Sequence, residues 1–144
     1  VWGTEHAERT SFFGEILSAD QLKARIISND TFAARCLPTA QFLATAAGDG
    51  VLVIDGRDAK DVETFPIRLP GIEVLPFDQL RPMLEAKSRK FAKKKLLFID
   101  NVGLQVKWIQ YQLEKYGYSD YAFLKDGVTK GWRKDGYDHD GKKP

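Results

Sequence analysis

Strand-sized apolar segments alternate with amphipathic segments along the second half of the chain. Residues 51–54 and 96–99 are uninterrupted apolar runs, and residues 72–75 and 121–124 are two further strand-like segments. Uninterrupted apolarity is typical of strands that are buried on both faces, as in a parallel sheet. The pattern therefore predicts a strand at each of these four positions.

The first half of the chain has helical rather than strand-like spacing. A helix is predicted to begin at Ser18, where Gln21 completes a capping box. A second helical stretch is predicted over residues 31–47. It is expected to break at Pro38, because proline lacks an amide donor and clashes with the preceding turn, and to restart at Thr39.

Two more helices are predicted between the later strands, over residues 78–87 and 104–116. Apolar residues of the second one, Leu104 and Trp108 among them, cover two neighbouring faces. So wide an apolar arc predicts deep burial, and we interpret both Trp108 and Trp132 as core residues.

Alternation of strands with helices predicts an α/β fold with a parallel sheet covered on both faces. In such folds the active site lies outside the carboxyl ends of the strands. Asp55, Asp100 and Lys125 each follow a predicted strand. We therefore expect these three residues along one edge of the molecule.

The length of 144 residues suits one domain. We divide it into an N-terminal lead-in and helical elaboration (residues 1–50, irregular over 1–17), a core (residues 51–132) and a loose polar tail (residues 133–144). The chain begins with Val1, so we expect a processed product or an excised fragment. The compartment stays open between export, slightly favoured by a processed start, and the cytoplasm.

Composition excludes several kinds of site. A single cysteine, Cys36, excludes an internal disulfide framework and a cysteine-rich metal site. The two histidines, His6 and His139, lie near opposite ends, which excludes a histidine pair on one helix. We predict no metal and no cofactor.

Charge argues against nucleic acid as a partner, since the formal net charge is only +2. One local run is basic. We interpret it as a solvated loop, and the alternative is a docking patch for an acidic partner or anionic lipid. Membrane contact is not expected except through this run, which consists of Lys87, Arg89, Lys90, Lys93, Lys94 and Lys95.

Three short motifs occur in a fixed order along the chain: Asp55-Gly56-Arg57, then Leu69-Pro70-Gly71-Ile72, then Leu124-Lys125-Asp126-Gly127-Val128 with Trp132. In this order they resemble motifs of the rhodanese homology domain. Asp55-Gly56-Arg57 is similar to the family's Asp-x-Arg after its first core strand. Leu69-Pro70-Gly71-Ile72 is similar to the turn into the next strand, although Arg68 stands where a histidine is usual. Leu124-Lys125-Asp126-Gly127-Val128 followed by Trp132 is similar to the closing motif. The resemblance implies about five parallel strands, with Asp55, Arg57 and Arg68 as supporting residues of the site.

The chain departs from the family at the catalytic position. Rhodaneses carry Cys-x-x-Gly after the strand that precedes the long helix, and here Asp100 replaces that cysteine. A carboxylate cannot form a persulfide. We interpret Asp100 as an internal cap whose pKa is lowered by loop amides; the alternative is a phosphoacceptor or metal ligand. The loop contains no lysine or arginine, which also argues against cysteine-phosphatase chemistry. It consists of Asp100, Asn101, Val102, Gly103, Leu104, Gln105 and Val106.

These observations favour an inactive rhodanese-like domain that acts as a protein-interaction or regulatory module with an unidentified protein partner. Two alternatives remain. One is a sulfurtransferase that uses Cys36, which the pattern places in an apolar helical stretch where its pKa would be raised. The other is a phosphoryl receiver that uses Asp55, Asp58, Asp100 and Lys125 with Mg²⁺.

Overall fold

The computed structural model describes residues 9–12, 15–18 and 29–143, with side chains from residue 30 onward. Strands β1 (Arg9–Phe12) and β2 (Glu15–Ser18) pair as a separate antiparallel hairpin, in which Arg9 lies opposite Ser18. The prediction of an irregular lead-in was therefore wrong for these residues. Ser18 ends a strand instead of starting a helix, and the rest of the predicted helix, including Gln21, lies outside the described residues.

The remaining elements alternate between helices and short strands. In chain order they are α1 (Asn29–Ala33), β3 (Cys36–Leu37), α2 (Thr39–Ala46), β4 (Val51–Asp55), α3 (Ala59–Thr64), β5 (Glu73–Val74), α4 (Phe77–Glu85), a 3₁₀ turn (Arg89–Phe91), β6 (Lys95–Ile99), α5 (Val106–Lys115), β7 (Tyr121–Leu124) and a π-helical turn (Val128–Trp132). Among the described residues, no helix has the length and apolarity that a membrane span requires.

Strands β3 to β7 form one parallel sheet in the spatial order β3-β7-β6-β4-β5. The predicted α/β class, with a parallel sheet of about five strands, is confirmed. After β4 the chain moves outward to β5, and after β6 it moves the opposite way to β7. The boundary between β4 and β6 is therefore the switch point of the sheet, where a crevice opens at the carboxyl ends of the strands.

The sheet separates two apolar cores, as expected for strands buried on both faces. In β6, Leu96 and Phe98 belong to one core, and Leu97 and Ile99 belong to the other. Helices α1, α4 and α5 cover the first core, and α2 covers the second together with the π-helical turn that carries Trp132. The prediction of helices on both faces is confirmed.

The predicted helix over residues 31–47 is interrupted by a strand. Helix α1 ends at Ala33, and Cys36–Leu37 pairs with β7 before α2 begins at Thr39. The break at Pro38 and the restart were predicted; the placement of Cys36 in a helix was wrong. Hydrogen bonds from the amides of Phe123 and Lys125 to this segment complete the ladder on the free side of β7, which local spacing cannot reveal.

Residues 133–143 are not a loose tail. The Trp132 indole Nε1 donates to the carbonyl of Asp138 at 2.8 Å. The His139 ring lies 4.1 Å from that of Phe65, and its Nδ1 is 2.7 Å from the carbonyl of Pro66. The prediction from polarity was wrong because this segment is held by specific hydrogen bonds and ring contacts rather than by an apolar stripe.

Candidate functional site

The loop between β6 and α5 wraps its backbone around the Asp100 carboxylate. Oδ1 accepts from the Gly103 amide at 2.9 Å, and Oδ2 accepts from the amides of Gln105 at 2.9 Å and Val106 at 3.4 Å. Asp100 is fully buried. The side chain therefore occupies the place toward which the loop amides and the amino end of α5 converge, which is the arrangement that the cap interpretation predicts.

Burial raises the pKa of Asp100 above its ordinary value, and the hydrogen bonds from Gly103, Gln105 and Val106 oppose that rise without cancelling it. The expectation of a lowered pKa was wrong, because it counted the amides and not the loss of water. Desolvation disfavours the charged form of a carboxyl group, and the loop itself supplies no basic side chain to offset it.

The following loop fixes the shape of this cap. The amide of Val128 donates to the carbonyl of Asp100 at 3.0 Å, and the hydroxyl of Thr129 donates to Asn101 Oδ1 at 2.9 Å. Gly103 has a φ of +83°, and a Cβ there would lie 2.8 Å from the Cα of Asp126. Two loops that follow neighbouring strands thus lock together, with glycine where the backbones approach most closely.

Asp55 and Arg57 form a buried ion pair beside the crevice. Arg57 Nε and Nη2 donate to the two carboxylate oxygens of Asp55 at 2.9 and 2.7 Å, and Nη1 donates to the carbonyl of Asp61 at 3.2 Å. Both side chains are almost completely buried. These contacts hold the loop after β4 in place, so that Gly56 can donate its amide to Ile99 next to Asp100.

Arg68 lies on the C-terminal tail instead of on the loop of Asp100. Its Nε donates to Asp140 Oδ1 at 3.1 Å, and its amide donates to the carbonyl of His139 at 2.7 Å. The exposed guanidinium holds the pKa of the Asp140 carboxyl below its ordinary value. These contacts give Arg68 a role in docking the tail.

Cys36 lies close enough to Asp100 for the carboxylate charge to affect the pKa of its thiol. Burial raises the pKa of the Cys36 thiol to about 11, Asp100 and Asp126 raise it as well, and Lys125 lowers it. The thiol Sγ donates to the carbonyl of Phe32 at 3.4 Å. Sequence reasoning missed this proximity because it did not place β3 in the sheet.

Two of the three carboxylates proposed for a receiver site are engaged by different partners. Asp55 is paired with Arg57, and Asp100 is held by its loop. No group of three or more His, Cys, Asp or Glu side chains is arranged to hold a metal ion within residues 30–143. The sheet order, 1-5-4-2-3 by chain position, also differs from the 2-1-3-4-5 order of flavodoxin-like receivers.

A groove of about 530 Å³ opens at the same edge of the sheet, between the loop after β4, helix α4 and the start of α5. We call it the acidic groove. Trp108 is 45% exposed and Leu104 66% exposed, so the prediction that both are deeply buried was wrong. Helix α5 begins only at Val106, and Val106, Ile109 and Leu113 form its core-facing side, whereas Trp108 lies on the opposite face of the helix. The groove is lined by Asp58, Phe77, Asp78, Arg81, Gln105 and Trp108.

The basic run lies at the opposite edge, before β6. Lys90 pairs with Glu73 at 2.6 Å and Lys95 with Asp120 at 3.0 Å. Lys87, Lys93 and Lys94 line a separate cavity of about 510 Å³. A docking role for this run is therefore independent of the loop of Asp100.

No family model and no curated protein matched the chain. Among solved structures, a protein of unknown function from Rhodopseudomonas palustris, described as a possible tyrosine phosphatase, is 23% identical, with 80% of this chain and 90% of that chain covered and a TM-score of 0.56. A single-domain sulfurtransferase from Saccharomyces cerevisiae is 22% identical. The match covers 71% of this chain and 90% of that chain, with a TM-score of 0.54.

The described chain thus has a rhodanese-like fold. At these identities the likeness extends to the fold alone.

The raised pKa of Asp100 predicts a specific pH dependence of stability. Between the unfolded pKa, near 4, and the higher folded pKa, the native state holds a proton that the unfolded state has lost. The contribution of Asp100 to stability is therefore fully present below about pH 4 and is lost as pH rises through the folded pKa. Urea unfolding of the native protein and Asp100→Asn from pH 3.5 to 8 measures this difference.

We expect the native protein to lose stability relative to Asp100→Asn as pH rises. Parallel curves for the two proteins across the whole range would show that burial does not shift this carboxyl.

Proposed function

We propose that this chain is a rhodanese-like domain that does not transfer sulfur and that serves as a protein-binding module. The proposal is supported mainly by the contacts of the Asp100 carboxylate, which accepts hydrogen bonds from the backbone amides of Gly103, Gln105 and Val106. In a rhodanese these amides would face a thiolate or persulfide. In this chain the same amides already donate to the carboxylate oxygens of Asp100.

Asp100 lacks the chemistry of the residue it replaces. A carboxylate oxygen cannot form a persulfide in either protonation state. When ionised, it also repels an anionic sulfur donor, with about 4 kcal/mol per unit charge at 4 Å and an effective dielectric constant of 20. No cation in the loop offsets that repulsion.

Sulfur transfer through Cys36 is the second candidate function. Its thiol lies near the loop of Asp100, since the charges of Asp100 and Lys125 both affect its pKa. The nucleophile in such chemistry is the thiolate. With a pKa of about 11, only about one molecule in ten thousand carries it at pH 7. The site thus favours a non-catalytic role over this one. Cysteine-phosphatase chemistry lacks both its cysteine and its arginine in the loop.

Thiosulfate-to-cyanide sulfur transfer tests the proposal directly. Native protein, Cys36→Ser and Asp100→Cys are measured side by side, with thiocyanate as the product. We expect the native protein and Cys36→Ser to give the same background rate, because neither holds an activated thiol. A rate in Asp100→Cys above that of the native protein would show that the loop still activates a sulfur atom.

Turnover by the native protein above the Cys36→Ser background would contradict the proposal and make Cys36 the nucleophile. Equal turnover by both, at a rate above buffer, would also contradict it and would require a nucleophile other than cysteine.

A further inference from the structure

We propose that the acidic groove binds a segment of a partner protein in which an arginine or lysine is flanked by apolar side chains. This inference rests on the proposed function, since it names the partner chemistry of a protein-binding module. The groove adjoins the cap of Asp100, because Gln105 lines the groove and donates its amide to the Asp100 carboxylate.

The charge of the groove selects a cation. Asp58 and Asp78 line it and are both exposed. Neither forms an ion pair with another described residue. The one basic residue of the lining, Arg81, has Nη1 3.9 Å from Glu85 Oε2. Carboxylates therefore outweigh cations here although the whole chain is slightly basic, and a cationic side chain is the complementary ligand.

Aromatic rings give the groove a second feature that suits a cation. Trp108 lines it and is 45% exposed, and indole is the ring that attracts a guanidinium or ammonium group most strongly. Phe77 forms the floor, and its ring lies so close to Gly56 that it leaves no room for a Cβ at that position. The glycine thus lets the ring approach the loop after β4, and the floor is apolar.

The surroundings indicate a protein segment instead of a small organic cation. Three large hydrophobic side chains are exposed in the part of the chain that the structure describes, namely Val74, Leu104 and Trp108. Val74 lies in β5, directly before α4, and Leu104 lies in the loop directly before α5. Val74 and Leu104 thus lie in the segments that lead into α4 and α5, the two helices that border the groove, and exposed apolar side chains around a charged centre are typical of protein interaction sites.

A pair of peptides tests the proposal with the full chain. The first probe is acetyl-Leu-Arg-Leu-Arg-Leu-amide, and the second carries citrulline in place of arginine, which keeps the shape and removes the charge. Isothermal titration gives the affinity, and ¹H–¹⁵N correlation spectra give the location. We expect the arginine peptide to bind at least fivefold more tightly, with shifts at the Trp108 indole and the Leu104 amide.

Matched variants assign the binding to the groove. Asp58→Asn combined with Asp78→Asn is expected to weaken binding of the arginine peptide about tenfold, and Trp108→Ala about fivefold. The control combines Asp49→Asn with Asp120→Asn, which removes two exposed carboxylates at the other edge of the sheet. It should leave the affinity unchanged.

Three outcomes would overturn the inference: equal affinity for the two peptides, equal weakening in the groove variant and its control, or shifts confined to residues outside the groove. Concentration-dependent self-association in sedimentation without peptide, lost in the groove variant, would also overturn it, because the occupant would then be a second copy of this chain. None of these results changes the outcome of the sulfur-transfer assay, so the inference can fail while the absence of sulfur transfer still holds.

Discussion

Replacing Arg57 with alanine is expected to lower the free energy of unfolding by about 3–5 kcal/mol. The guanidinium is almost completely buried and donates to both oxygens of Asp55 and to the carbonyl of Asp61. Removing one partner of a buried pair leaves the other charge without solvent or counter-ion. Here that charge is a carboxylate at the end of a central strand.

Urea unfolding followed by circular dichroism measures this loss. Arg68→Ala is the matched control, because Arg68 also pairs with an aspartate but is exposed, and its removal is expected to change stability little. The double variant Asp55→Ala/Arg57→Ala should lose less than the sum of the two single variants. A loss for Arg57→Ala no larger than that for Arg68→Ala would show that the buried pair does not stabilise the fold.

Trp132→Ala is the second variant with a large expected effect, again about 3–5 kcal/mol, since it removes a fully buried indole from the second core. It also leaves the carbonyl of Asp138 without its donor at 2.8 Å. The tail is therefore expected to detach, and limited proteolysis should cleave within residues 133–143 faster than in the native protein.

Trp108→Ala provides the comparison within the same chain. Trp108 is 45% exposed, so its replacement is expected to cost much less stability and to leave the rate of tail cleavage unchanged. Similar losses of stability for the two tryptophan variants would contradict the separation between a core tryptophan and a groove tryptophan.

Both predictions concern the edge of the sheet at which the loop of Asp100 lies. The buried pair of Asp55 and Arg57 fixes the loop after β4, and the turn that ends at Trp132 fixes the loop that locks against Asn101 and Gly103. The rigidity of these loops keeps the Asp100 carboxylate within reach of its three amides. Under the proposed protein-binding function, this rigidity would present a pre-formed surface and lower the entropic cost of binding a partner.

The sequence by itself determined the central strands and the position of Asp100. Residues 51–54, 96–99 and 121–124 are apolar at every position, and only a strand covered on both faces can bury all of them. A chain of such strands joined by helices must be parallel, so the ends of β4 and β6 had to meet at one edge. Pro38 likewise determined a helix break, because its constraint is local.

Only the tertiary structure decided the elements whose partners are distant in the chain. Cys36–Leu37 is a strand because the edge of β7 offers it hydrogen bonds. The polar tail is ordered because Trp132 and Arg68 bind its carbonyls. Trp108 is exposed because it lies on the face of α5 opposite to Val106, Ile109 and Leu113, which pack against the first core. Local periodicity reports which residues share a face, whereas burial and pairing depend on what packs against that face.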